Sequence, residues 1–240
     1  MYQPRKYRAW AESKDLISYS VSEQETNLLI STCTKLERKT IRLALKYRRV
    51  IEKYIHFNPE FLTSLKPLPV TYRAPAIISL MADAGRKAGV GPMAAVAGAV
   101  AQCIGVELGD YSPDVIIENG GDIYISSRTR RSVAIYAGNS VLSGKLKIQL
   151  EGHQTPCGVC TSSGTVGHSL SFGKADAVTI IAPSAALADA VATACGNLIH
   201  TPADISQGLE FAQGIDGITG AVIIIGDRMG VWGDVNLQPA

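Results

Sequence analysis

The chain has little of what would make its function obvious. Its longest apolar stretch, Ala94 to Val106, is alanine-rich and shorter than the roughly 20 residues of a membrane-spanning helix. A second apolar stretch, Ala177 to Ile199, is interrupted by Pro183 and Asp189. Charge of one sign is also missing: 23 basic and 21 acidic residues leave a net charge of +2. So small an imbalance supplies no field for nucleic acid or an anionic membrane. The five cysteines are an odd number and do not suit a secreted disulfide framework. The four histidines, His56, His153, His168 and His200, show no ligand spacing. Met1 to Trp10 is polar and basic, without the apolar segment of a secretory signal. These absences lead us to expect a cytoplasmic protein with a small-molecule ligand and no nucleic-acid or membrane partner.

What is present is a globular composition, 46% hydrophobic and 18% charged. Arg5 to Thr34 reads as strands. From Leu36 the apolar residues Ile41, Ala44, Tyr47, Val50, Ile51, Tyr54 and Ile55 recur at helical steps. The basic cluster Arg38, Lys39, Arg42, Lys46, Arg48, Arg49 and Lys53 is then the solvated face of one long helix. Asn58-Pro59 ends it. Pro75 to Lys87 reads as a helix, and Met93 to Ile104, lacking a polar face, as a buried one. Strands follow at 115–117, 122–126, 132–136, 145–150 and 177–182. A helix from Ala185 to Ile199 comes after Ser184, a natural cap. A shorter helix starts at Asp204 or Ser206. Strands at 221–225 and 229–232 flank the Gly226-Asp227-Arg228 turn. Strands and helices come in blocks, so the class is α+β. We expect a single domain over 1–240, with N-terminal strands and long helix to about residue 66 and a core motif region from about 75 to 235.

Three constellations could carry chemistry. Glu118-Asn119-Gly120-Gly121-Asp122 lies between two strands. Its glycines permit positive φ and expose N–H groups, which suits a phosphate or a ring edge. A type I′ hairpin turn explains the glycines equally. Cys160 to Ser169 concentrates hydroxyls with Gly164, Gly167 and His168. Such a loop can hold an anion or move a proton, or it is a polar surface loop. Third, Asp189 and Thr193 are four apart, on one face of an otherwise apolar helix. Carboxylate plus hydroxyl is hard oxygen ligation suited to magnesium or calcium, although Asp189 could instead pair with a basic group or reach solvent. Cys157-Gly158-Val159-Cys160 has redox or zinc spacing, but no second pair accompanies it.

In order and in type, these segments resemble the ApbE-like superfamily. The Asn-Gly-Gly-Asp turn is followed by a Ser-Gly loop, a histidine, the strand Val178 to Ala182, and Ala188-Asp189 with Thr193. The resemblance runs from about Asp83 to Asn197. It implies an ApbE-like, T-fold-like architecture of antiparallel sheets backed by helices. Members that are flavin transferases bind FAD and a divalent metal, and transfer FMN to a threonine of a target protein. Carried over, Asp189 and Thr193 are metal-binding positions. Asn119, Gly120, Gly121 and Asp122 shape the flavin pocket. Ser163 and Gly164 belong to the binding loop, and His168 with Asp189 to the catalytic set. The chain departs from the transferases after His168, where Ser169-Leu170-Ser171 stands in place of their Ile-Asp-Pro pattern. It also departs in its basic N-terminal helix. We therefore expect a magnesium-dependent FMN transferase or hydrolase acting on FAD or a related nucleotide. The alternative is a non-catalytic flavin, nucleotide or phosphorylated-metabolite binding protein. A homo-oligomer is compatible with either.

Overall fold

The computed structural model describes residues 15–24, 26–165 and 171–240. Strands β1 (Ile17–Glu23) and β2 (Thr26–Thr32) form a hairpin ahead of the long helix α1 (Glu37–Phe57). A short helix α2 (Glu60–Thr63) and a proline-rich connector lead to α3 (Ala76–Ala88). A 3₁₀ turn over Pro92–Ala95 opens into α4 (Val96–Gly109). Strands β3 (Val115–Asn119), β4 (Asp122–Ser126), β5 (Arg131–Ala134), β6 (Leu146–Leu150), β7 (Cys157–Ser162) and β8 (Ala177–Ala182) come next. Helices α5 (Ala185–Gly196) and α6 (Ile205–Gln213) precede β9 (Gly220–Ile225), β10 (Arg228–Gly233) and β11 (Asn236–Pro239).

Eight strands form one antiparallel sheet in the order β1-β2-β3-β4-β7-β8-β9-β10, and β11-β6-β5 form a second sheet. The central strands of the large sheet are covered on both faces, and β8 shows how. In β8, Val178, Ile180 and Ala182 join the core beneath the helices. Ala177 and Ile181 face a separate core shared with Val133, Ile148 and Leu150 of the small sheet. Period-two alternation therefore feeds two cores from one strand. All six residues of β8 and of β9 are buried. The molecule is thus layered: helices, large sheet, small sheet.

Helix α5 sits at the centre of the helical layer, against α3, α4, β7 and β8. It can lie so close because its neighbours lack side chains where they meet it. A Cβ on Gly98 would come within 2.3 Å of the Ala185 carbonyl oxygen, and one on Gly158 within 2.2 Å of the Ala185 Cα. The apolar segment Pro92–Gly109 is longer than the sequence suggests and is membrane-compatible by length and composition. Half of it is buried inside the protein as a core helix. At the sheet's far side, buried Arg131 makes two bonds to Asp15, 2.7 and 2.9 Å, and a third at 2.8 Å to Ser127. These bonds tie β5 to the approach to β1.

Several boundaries differ from the expectation. Strand β5 ends at Ala134 rather than Tyr136, and α5 stops at Gly196. Strand β7 has no counterpart in the sequence reading, which put Cys160 to Ser162 in a polar loop, and neither has strand β11. The latter is four residues long and ends on Pro239, and proline is tolerated only at such edges.

Candidate functional site

The Asn119-Gly120-Gly121-Asp122 segment is a two-residue hairpin turn with Asn119 paired to Asp122. Gly120 and Gly121 have φ of 73° and 109°, the positive values that a type I′ turn demands at both central positions. The Glu118 carboxylate accepts the Gly121 N–H at 2.9 Å. The Asn119 side chain donates to the Ala97 carbonyl at 3.1 Å, joining the hairpin to the start of α4. The bland and the functional readings of this turn are therefore compatible: it is a hairpin, and it is anchored to the helix layer.

Asp189 lies on α5 beneath the same place. Its Oδ2 accepts the Gly98 N–H at 2.8 Å, and the Ala97 N–H also supports it. These amides belong to the first turn of α4, where N–H groups have no partner within the helix. No side chain of α4's own entry segment caps it; Asp189 does so from another helix. The help is mutual. Gln102 of α4 accepts from Ser184 Oγ at 3.0 Å and from the Ala186 N–H at 3.2 Å, at the start of α5.

Asp122 and Asp189 are both buried, and the charge of Asp189 acts on Asp122. Burial pushes the Asp189 carboxyl up to about 7, against the pull of its two amide bonds. Burial also holds Asp122 well above the usual carboxylate range, reinforced by the charges of Asp189 and Glu118. The Thr161 N–H and the Cys160 thiol bond to Asp122 and act the other way. Buried Cys160 Sγ is also 3.3 Å from the Ala185 carbonyl oxygen, and its surroundings hold it in the thiol form. Two buried carboxyl groups under each other's influence cannot both ionise cheaply.

Thr193 is half-buried one turn beyond Asp189 on the same helix. Ser163 begins the loop that follows β7. Its Oγ accepts the Thr165 N–H at 3.1 Å, and Thr165 Oγ1 donates to Asp176 at 3.0 Å. Gly164 donates its N–H to the Ala175 carbonyl at 2.9 Å. A Cβ on Gly164 would lie 2.1 Å from the Gly173 carbonyl oxygen. The loop is thus pinned at its base. His168 lies outside the described residues.

The structure brings Asn119, Gly120, Gly121, Asp122 and Asp189 together. Thr193 follows along α5, and Ser163 comes just after the end of β7. Sequence reading treated Cys160 as half of a Cys-x-x-Cys pair, whereas it is the neighbour of Asp122. A three-residue offset in a strand puts Cys157 and Cys160 on opposite faces of the sheet. It also missed the amides of Ala97 and Gly98. The turn-forming Gly91-Pro92 marks a helix start, but nothing local says which distant carboxylate caps it. Among the described residues no three His, Cys, Asp or Glu side chains converge as a metal cluster.

Residues 8–230 match the family model described as AbpE bacteria. A UPF0280 protein of Methanocaldococcus jannaschii is 43% identical over 88% of each chain. One of Methanothermobacter thermautotrophicus is 41% identical over 89% of this chain and 91% of its own. Among solved structures, the apo flavinyl transferase ApbE of Pseudomonas stutzeri aligns over 90% of this chain and 93% of its own. Its TM-score is 0.54, with 14% identity. The flavin transferase ApbE of Vibrio cholerae aligns over 92% and 97%, with a TM-score of 0.52 and 13% identity. At such identities the likeness establishes the fold. The chain belongs to the AbpE bacteria family, alongside the UPF0280 proteins, and has the fold of the ApbE-like superfamily.

Proposed function

We propose that this protein is a divalent-metal-dependent transferase or hydrolase that cleaves the pyrophosphate of FAD or a related flavin nucleotide. The observation that carries the reading is the buried Asp122–Asp189 pair, set beside the Gly120-Gly121 turn on an ApbE fold. The donors suit a hard cation: two carboxylates, with the Thr193 hydroxyl one helical turn from Asp189. Burial raises the cost of both negative charges, the charge of Asp189 adds to it at Asp122, and a cation would offset it. Asp189, Asp122 and Thr193 would hold the ion. When bound, magnesium supplies charge neutralisation of the pyrophosphate.

The chain's residues then have distinct tasks. The backbone of Asn119 to Asp122 borders the flavin ring. Ser163 and Gly164 offer a hydroxyl and the base of a pinned loop to the phosphates. In transfer, an acceptor hydroxyl attacks the phosphorus of the FMN half. The P–O bond to the AMP half breaks, and AMP leaves with the bridging oxygen. The hydroxyl proton passes to a base, the role the resemblance assigns to His168. With water as acceptor, the products are FMN and AMP. The reading includes a cytoplasmic location and a small phosphorylated ligand rather than nucleic acid or membrane.

A second reading, ligand binding without turnover, draws on one observation. The Asp189 carboxylate already accepts from α4. AMP release separates the two readings. Purified protein incubated with FAD and magnesium should release AMP, and a chelator should stop it. Flavin binding with no AMP under any divalent cation favours the second reading.

A further inference from the structure

The large sheet ends in two edges of different character. On β1 the hairpin register turns the backbone groups of Ser18, Ser20 and Ser22 outward. Three small polar residues make a poor template for another strand. On β10 the two-residue turn pairs Arg228 with Ile225, so Arg228, Gly230 and Trp232 bond inward to β9. The N–H and C=O groups of Met229 and Val231 point outward. Among the described residues these four groups make no backbone hydrogen bond to a turn, loop or cap. Their side chains are 40% and 39% exposed. No charge or proline interrupts β10 between Met229 and Gly233, although such devices normally protect an edge.

We propose that β10 is an interface, and that its occupant is β10 of a second copy of this chain, paired antiparallel about a two-fold axis at Gly230. The register chooses the occupant. Outward-facing residues must oppose one another in such a pair. Centring on Gly230 sets Met229 against Val231 of the second copy, and Val231 against its Met229. On the helix-facing side, the same register sets exposed Arg228 opposite Trp232 of the second copy, a guanidinium beside an indole. The strand is thus complementary to itself, as a two-fold contact requires. A net charge of +2 opposes association little. The pairing joins two eight-stranded sheets into one continuous sheet. It is independent of the proposed chemistry.

The test is the solution mass of the full chain, by light scattering behind gel filtration and by sedimentation. Wild type should run at twice the 25.5 kDa chain mass. Val231→Pro removes only an outward N–H and should run as a monomer, with unchanged circular dichroism and melting. If that variant fails to fold, Met229→Lys serves instead, by placing a cation against the second copy's strand. A monomeric wild type at about 100 µM overturns the proposal. So does a folded Val231→Pro or Met229→Lys that remains dimeric, because some other surface then makes the contact. A wild type that is monomeric alone but pairs with a different protein's strand through this edge overturns the choice of occupant.

Discussion

The Asp189 carboxylate on α5 and the Gly98 amide on α4 form a 2.8 Å hydrogen bond, so one residue serves both the candidate site and the helix layer. Two substitutions separate those duties. Asp189→Ala removes the acceptor for α4's first turn and should lower stability by about 1–2 kcal/mol, the usual range for a lost cap. Asp189→Asn keeps one acceptor oxygen and should lose less, while losing the charge that would hold a cation. Urea unfolding of both variants measures the difference. Equal stability losses would mean that the cap is not what Asp189 contributes.

Gly98 should be as restrictive as Asp189. A Cβ there would meet the Ala185 carbonyl oxygen at 2.3 Å and Asp189 Cβ at 2.9 Å. Neither neighbour can swing away, since one is backbone and the other the root of a side chain. Gly98→Ala should therefore cost about 1–3 kcal/mol through overpacking, despite alanine's better helix propensity. The chemical-denaturation midpoint reads the result. A neutral or stabilising outcome would show that α4 and α5 can part freely.

The carboxyl pair gives stability a defined pH dependence. Asp122 is faced by Asp189, Glu118 and Cys160, and both aspartates have raised pKa values in the folded chain. Each folded aspartyl group keeps a proton that the unfolded chain, titrating near 3.8, has released. Folding therefore binds protons, and their contribution is fully present below about pH 4. It is lost as pH rises toward and through about 7. Without divalent cations, the urea midpoint should fall between about pH 5 and pH 8. Asp122→Asn should flatten that slope. A midpoint that rises with pH equally in both proteins would place the titrating groups elsewhere.

All five cysteines are free, and Cys157, Cys160 and Cys195 are buried. The sheet itself separates Cys157 from Cys160. Thiol titration of unreduced, denatured protein should count five per chain, and native protein should expose Cys33 first. A Cys157–Cys160 disulfide recovered by peptide mapping would contradict the strand assignment of β7.

Much of the fold was legible because local rules decide it. The helical spacing from Leu36 to Ile55 became α1, and the short apolar runs at 177–182 and 221–225 became β8 and β9. Gly120-Gly121 announced a hairpin turn, and the residue order of the candidate site announced the superfamily. What stayed hidden depends on distance along the chain. Assignment of β5 and β6 to a separate sheet follows from which face of β8 needed cover. The short, proline-ended β11 has no periodicity to find. Reciprocal capping by Asp189 and Gln102 joins residues more than 80 positions apart. The difference between the two sheet edges exists only once the strand order is known.

The most direct test of the proposed chemistry is a fluorescence titration with FAD, with and without magnesium, on wild type and Asp189→Asn. The expected result is tight, magnesium-dependent binding by wild type that Asp189→Asn loses while its unfolding curve stays close to wild type. Magnesium-independent binding, or equal binding by the folded variant, would contradict a metal-assisted flavin site at Asp122 and Asp189.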